Sequence, residues 1–240
     1  MLLPGERLDD LMINELKIIQ HEDEFRFSLD AVLLAHFATV KPGISAVDLG
    51  AGGGAVSLLL AARGAALVTG VEINERVAAM ARRSVELNGL TKQVLIKPGD
   101  LREVAGNFSP GLCDLVVANP PYRPAGTGRI NPNSGLAIAR HEVKATLSDV
   151  VAAAKYLMKV RGRFALVHLP ERLPEILQTM AAAGLEPKRL QLVYPKADRK
   201  AVMALVEGVK GAKPGLDVLS PLVIYQHDGA YTDTVRAYYK

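Results

Sequence analysis

The chain has 240 residues, 49% hydrophobic and 22% charged, enough apolar content for one sizeable core and too much for a disordered segment. No apolar run approaches the ~18 residues of a membrane span, and the opening "MLLPGERLDDLMINELK", with acids near its start, does not read as a signal peptide. Net charge is +4 but uneven: residues 1–40 hold three Lys/Arg and eight Asp/Glu, leaving +9 on the rest, which suits a polyanion such as nucleic acid or an ordinary solvated surface.

A single cysteine, Cys113, cannot form an internal disulfide. It reads as a small buried hydrophobe at a strand start, and a reducing, cytoplasmic setting is expected. Five scattered histidines and one cysteine show no ligand spacing, so no metal site is expected.

In chain order, residues 1–40 fall outside any regular alternation and read as an extension packing on a main domain over 41–240. Within it, "FSLDAVLLAHFA" (27–38) predicts a helix capped by Ser28, with Asp30 in its first turn. Phe25, Phe27 and Ser28 could help this segment cover a ligand or simply pack on a sheet. From residue 44 the chain alternates. Apolar strands are predicted at 44–50, 66–73, 93–100 and 114–120. Helices are predicted at 55–64 and at 74–90, where Asn74 is a plausible cap. A helix near 142–159, a strand at 162–169 and a helix at 171–184 follow. This rhythm means a parallel sheet with right-handed crossovers, buried on both faces. Strands at 188–195 and 201–209 are only a few residues apart, which suits an antiparallel hairpin. The expected fold is α/β and Rossmann-like: a mostly parallel seven-stranded sheet with helices on both faces and an antiparallel last strand.

Four strand ends carry polar groups. "VDLGAGGGAVS" (47–57) places Asp48 and then Gly50, Gly52, Gly53 and Gly54 between a strand and a helix, a turn where a ligand can touch backbone. Such a loop alone fits a dinucleotide enzyme, or a plain tight turn, equally well. Glu72 ends the second strand, 18 residues after Gly54, where a carboxylate can accept both ribose hydroxyls. Asp100 ends the third and could accept from the amino group of an adenine. Asn119-Pro120-Pro121-Tyr122 ends the fourth. Ligands of open α/β sheets gather in the crevice beyond these ends.

Together these residues resemble a class I S-adenosylmethionine-dependent methyltransferase over roughly residues 40–210. The resemblance makes Asp48 the first-strand acid, Gly50, Gly52 and Gly54 the cofactor loop, Glu72 the ribose carboxylate and Asp100 the adenine contact. "NPPY" is the signature of members that methylate nitrogen conjugated to a π system: adenine N6, guanine N2 or glutamine N5. The segments "RLDDLMINELKIIQ", "FSLDAVLLAHF" and "YPKADRKAVMALVEGVKG" further resemble the bacterial tRNA(Val) adenine-N6 methyltransferases. That branch implies S-adenosylmethionine as cofactor, S-adenosylhomocysteine as product and the tRNA anticodon loop, at adenine 37, as substrate.

An exocyclic amine is a poor nucleophile because its lone pair is delocalised. The Asn119 oxygen, also beside the cofactor, and the Pro120 carbonyl can accept its two N–H groups and favour a pyramidal nitrogen. Pro120 and Pro121 stiffen the loop, so these acceptors are positioned in advance. Tyr122 offers a stacking face, and Arg123 and Arg129 lie next in sequence to meet substrate phosphates. Arg140, Lys188, Arg189, Lys196, Arg199 and Lys200 add to the basic body. The segment 123–142 reads as a substrate loop, and His141 as a capping or surface residue. Guanine-N2 methylation of rRNA and glutamine-N5 methylation of protein share the tetrapeptide, although the latter enzymes carry a larger N-terminal helical domain. An NAD-dependent oxidoreductase would share the glycine loop but has no need of Asn119-Pro120-Pro121.

Overall fold

The computed structural model describes residues 2–24, 27–120 and 145–239. Its strands are β1 (Glu6–Asp10), β2 (Lys17–His21), β3 (Ser45–Leu49), β4 (Leu67–Glu72), β5 (Val94–Pro98), β6 (Cys113–Ala118), β7 (Met158–His168), β8 (Leu185–Tyr194), β9 (Met203–Lys210), β10 (Asp217–Val218) and β11 (Leu222–Val223). Its helices are α1 (Leu29–Phe37), α2 (Ala55–Ala62), α3 (Glu75–Leu87), α4 (Val104–Asn107), α5 (Leu147–Leu157), α6 (Leu173–Ala182) and α7 (Asp233–Ala237).

The seven expected strands form the sheet in the order β5-β4-β3-β6-β7-β9-β8, all parallel except β9. Two strands of two residues each, β10 and β11, pair in parallel along the outer side of β8 and bring the sheet to nine. Alternation along β3 shows why the strands are apolar almost throughout. Ala46 enters the core with α1, α2 and α3, while Val47 and Leu49 enter the core with α5 and α6. Both faces are thus covered, as a parallel sheet requires.

Residues 6–21 form an antiparallel hairpin, an element the apolar alternation did not predict. Its second strand is tied to α3: Ser84 Oγ accepts from Ile19 N at 2.9 Å, and Asn88 Oδ1 accepts from Lys17 N at 2.9 Å. Leu11, Ile13, Leu16 and Ile18 are buried in the same core as α1–α3. Asn74 caps α3 as expected, accepting from Arg76 N and Val77 N. Ser28 differs: it occupies the N-cap position of α1, but its hydroxyl donates to Asp30 instead of accepting from the helix. β7 starts at Met158, four residues earlier than expected. The chain passes through a register shift beside β6, with Arg161 in the left-handed region (φ 67°).

Candidate active site

Register places the expected residues along one edge of the sheet. Leu49 pairs with Ala118, so Gly50 and Asn119 follow side by side; Glu72 pairs with Pro98, two residues before Asp100. The glycine loop, Glu72, Asp100 and Asn119 therefore converge at the carboxyl ends of β3, β4, β5 and β6.

The loop is built by glycine for backbone reasons. Gly50, Gly52 and Gly54 have φ of 71°, 54° and 87°, a region costly for other residues. An added Cβ at Gly50 or Gly52 would meet nothing within 4 Å, so these two face open space that a ligand can fill. Gly50 N and Ala51 N both donate to Val71 O, at 2.9 and 3.0 Å. From beneath, Ile18 of the hairpin lies 3.5 Å from where a Gly53 Cβ would sit.

Glu72 is buried, and each carboxylate oxygen accepts one backbone N–H: Oε2 from Gly52 at 2.8 Å and Oε1 from Asn74 at 2.9 Å. Burial raises its pKa although these bonds oppose the shift. The two oxygens carry about four lone-pair sites and the backbone does not fill them all, so the carboxylate can still accept from a hydroxyl donor. Asp48 is fully buried and accepts from Ser57 Oγ at 2.7 Å. Burial pushes its pKa up to about 7, helped by nearby Glu72 and opposed by the Ser57 hydroxyl and amide. Asp48 thus supports the loop from below.

Asp100 is not a free acceptor. It caps the short 3-10 turn Leu101–Glu103 by accepting from Arg102 N at 2.9 Å, and its carboxylate pairs with the Arg102 guanidinium, which lowers its pKa. Asn119 and Pro120 are half-buried at the end of β6, and the Asn119 amide has no hydrogen-bond partner among the described residues. Pro121, Tyr122, Arg123 and Arg129, together with Arg140, His141 and Phe25, lie outside the described residues. Cys113 is buried at the start of β6, as expected, and burial pushes its thiol up to about 12.

Two contributors were missed in the sequence. Ser57 donates its hydroxyl to Asp48. Gly70 on β4 lies under the loop, where an added Cβ would sit 2.7 Å from Ile96 Cδ1, 2.9 Å from Ala51 Cβ and 3.0 Å from Ser57 Oγ.

A profile of the methyltransferase small domain matches residues 29–170, more than half of the chain. The chain belongs to the methyltransferase small domain family. This methyltransferase is of the S-adenosylmethionine-dependent kind that its loop and tetrapeptide predict. It is 29% identical over 209 residues to an Aeromonas salmonicida protein named tRNA1(Val) (adenine(37)-N6)-methyltransferase, covering 85% of this chain and 84% of that one. A Porphyromonas gingivalis protein of the same name is 28% identical over 219 residues, covering 86% and 84%. Among solved structures, a predicted O-methyltransferase from Agrobacterium tumefaciens is similar with a TM-score of 0.69 and 26% identity, covering 88% of this methyltransferase and 95% of that chain. Geranyl diphosphate C-methyltransferase from Streptomyces coelicolor, at 15% identity and a TM-score of 0.58 over 76% of this chain and 77% of that one, shares the fold. Among the described residues no helix is long and apolar enough to cross a membrane.

Proposed function

We propose that this methyltransferase transfers a methyl group from S-adenosylmethionine to the exocyclic N6 of an adenine in the anticodon loop of tRNA, adenine 37 of tRNA(Val). The observation that carries this reading is the placement of Asn119 and Pro120 beside the Gly50 turn, with Glu72 on the neighbouring strand. The names of these relatives, which match over some 85% of the chain, support adenine N6 over other nitrogens.

The residues present fit the cofactor. The space at Gly50 and Gly52 admits its body, and the remaining acceptor sites of Glu72 suit the ribose hydroxyls. Asp100 can take the adenine amino group only by sharing a carboxylate that Arg102 already holds. The cofactor supplies an electrophilic sulfonium methyl. Asn119 Oδ1 and the Pro120 carbonyl accept the two N–H groups of the target amine, which frees its lone pair from the ring. Proline at 120 and 121 fixes φ near −65°, so this acceptor pair is rigid before substrate arrives. Tyr122 stacks the base, and Arg123 and Arg129 meet phosphates. An anticodon-loop base is unpaired and enters such a pocket at low unstacking cost. The test is transfer of labelled methyl to total RNA and to protein, followed by nucleoside mapping. Label in N6-methyladenine at position 37 of tRNA(Val) is expected; label in N2-methylguanine or protein glutamine overturns the assignment.

A further inference from the structure

A cavity of about 460 Å³ lies away from the catalytic edge, lined by Lys41, Arg161, Arg163, Lys188, Arg189 and Asp217. Its size is within the range of ligand sites. Two of its arginines are held by one carboxylate behind the lining. Glu207 on β9, with no exposed surface, accepts from Arg163 Nη1 at 2.7 Å and Arg189 Nη1 at 3.3 Å. It also accepts from Thr39 N at 2.7 Å and Thr39 Oγ1 at 2.8 Å, just beyond α1. Arg189 is fixed further by Phe37 O and by stacking on the Phe37 ring. Both guanidiniums are therefore oriented in advance. Counting Glu207 and Asp217 against the five cations leaves an excess of three positive charges. Among the described residues, Lys41, Arg161 and Lys188 pair with no carboxylate.

A second observation is independent of charge. Arg161 has φ of 67°, at the register shift between β6 and β7, where glycine or asparagine would be the low-cost residue. The following Gly162 is locked by packing, since a Cβ there would lie 2.8 Å from Lys159 O. The backbone thus holds a strained turn that carries an arginine on the cavity wall, and such outliers cluster at ligand sites.

We propose that this cavity is a second RNA contact, taking backbone phosphates of the substrate at the edge of the sheet opposite Asn119; the inference rests on the RNA substrate assigned above. Arg163 stands opposite Leu115 and His168 ends the same strand beside the catalytic edge. Five residues at ~3.3–3.4 Å each separate them by roughly 17 Å, several nucleotide steps of a strand. A single nucleotide cannot reach both sites, whereas a folded RNA can. Such contacts position the RNA without reading its sequence.

The test compares Lys41→Gln/Arg161→Asn with a control that loses the same charge elsewhere, Lys92→Gln/Lys155→Gln. Asparagine tolerates the left-handed backbone, and matching thermal melts confirm folding. Binding of tRNA(Val) and of unrelated tRNA is measured across a salt series, with S-adenosylmethionine affinity and turnover at saturating RNA. The expected result for the cavity variant is ~10-fold weaker binding of both RNAs, with the slope of log K against log salt shallower by about 1.5. Cofactor affinity and saturated turnover stay at wild-type values. Equal RNA affinity in variant and wild type overturns the inference, as does loss of inorganic pyrophosphate binding with RNA binding intact, which would mark a small-anion site. A protein that methylates only protein refutes the RNA substrate and this inference with it, whereas N6-methyladenine in tRNA with unchanged RNA affinity of the cavity variant overturns this inference alone.

Discussion

Gly70→Ala is the sharpest probe of how the sheet supports the glycine loop. Gly70 lies in β4 with ordinary backbone, so alanine meets no conformational barrier there and by itself would add about 0.4–1 kcal/mol through the unfolded chain. Against this, the new methyl meets three atoms at 3.0 Å or less. Ile96 Cδ1 is the end of a flexible side chain and can move aside. Ala51 Cβ belongs to the loop and Ser57 Oγ holds Asp48, so neither yields without displacing the site. Overpacking of this kind costs about 1–3 kcal/mol. The net expectation is a loss of about 1–2 kcal/mol, which lowers Tm by ~2–8 °C in a domain of this size. Because Ala51 and Ser57 are the atoms that give way, cofactor affinity falls as well, by ~10-fold if 1.4 kcal/mol of the distortion reaches the loop. Calorimetric titration of S-adenosylmethionine and thermal unfolding measure the two effects. Gly106→Ala in α4, where a Cβ meets nothing, is the control and should be neutral or slightly stabilising. A Gly70→Ala protein with wild-type Tm and affinity refutes the reasoning.

Asn119→Ala should bind S-adenosylmethionine normally yet lose ~10²-fold or more in transfer, comparable to losing a preorganised transition-state contact; single-turnover kinetics checks this. Glu72→Gln turns an NH2 toward either Gly52 N or Asn74 N, costs about 1–3 kcal/mol for the unsatisfied donor, and should appear as weaker cofactor binding by titration. Asp48 has a folded pKa of about 7 against an ordinary value of 3.8, so the native state holds a proton the unfolded chain releases. Its contribution is complete below about pH 4 and is lost as pH rises to 7. Asp48→Asn should flatten denaturant-measured stability across that window by up to about 4 kcal/mol. Cys113 should resist thiol reagents at pH 8 in the native enzyme and react once unfolded, because burial suppresses its thiolate.

The clustering of Glu72, Asp100 and Asn119 at the carboxyl ends of the strands was legible because parallel strands are apolar almost throughout, so a polar residue at a strand end stands out. Asp48 reads the same way in the sequence but lies buried within β3, beneath the loop. The hairpin of residues 6–21 was not legible. β1, "ERLDD", is largely exposed and polar, and its turn places Met12, Asn14 and Glu15 at positive φ without a glycine or proline to mark it. Gly70 was hidden for another reason. It reads as an ordinary strand residue until Ile96, Ala51 and Ser57 arrive from other elements. The Asp100–Arg102 pair is local and could have been read from the sequence, two residues apart, as competition for the acceptor. The long β7 was shortened by running the preceding helix to about 159 and starting the strand at 162, whereas the strand begins at Met158 and bends through left-handed Arg161 without leaving the sheet.

The amide groups of the glycine loop bear on cofactor discrimination. A loop that cradles pyrophosphate presents its N–H groups outward, with a helix N-terminus behind them. Here Gly50 and Ala51 donate to Val71 O, Gly52 to Glu72 and Gly54 to Ala51 O, all inward. The start of α2 is already met by Asp48 through Ser57. Those four amides are not turned toward phosphate oxygens, and the carboxylate of Glu72 lies directly beside the loop. The turn has the outline of a dinucleotide site, but with its amides turned inward and a carboxylate beside it, it offers acceptors for hydroxyl donors where a pyrophosphate would need donors.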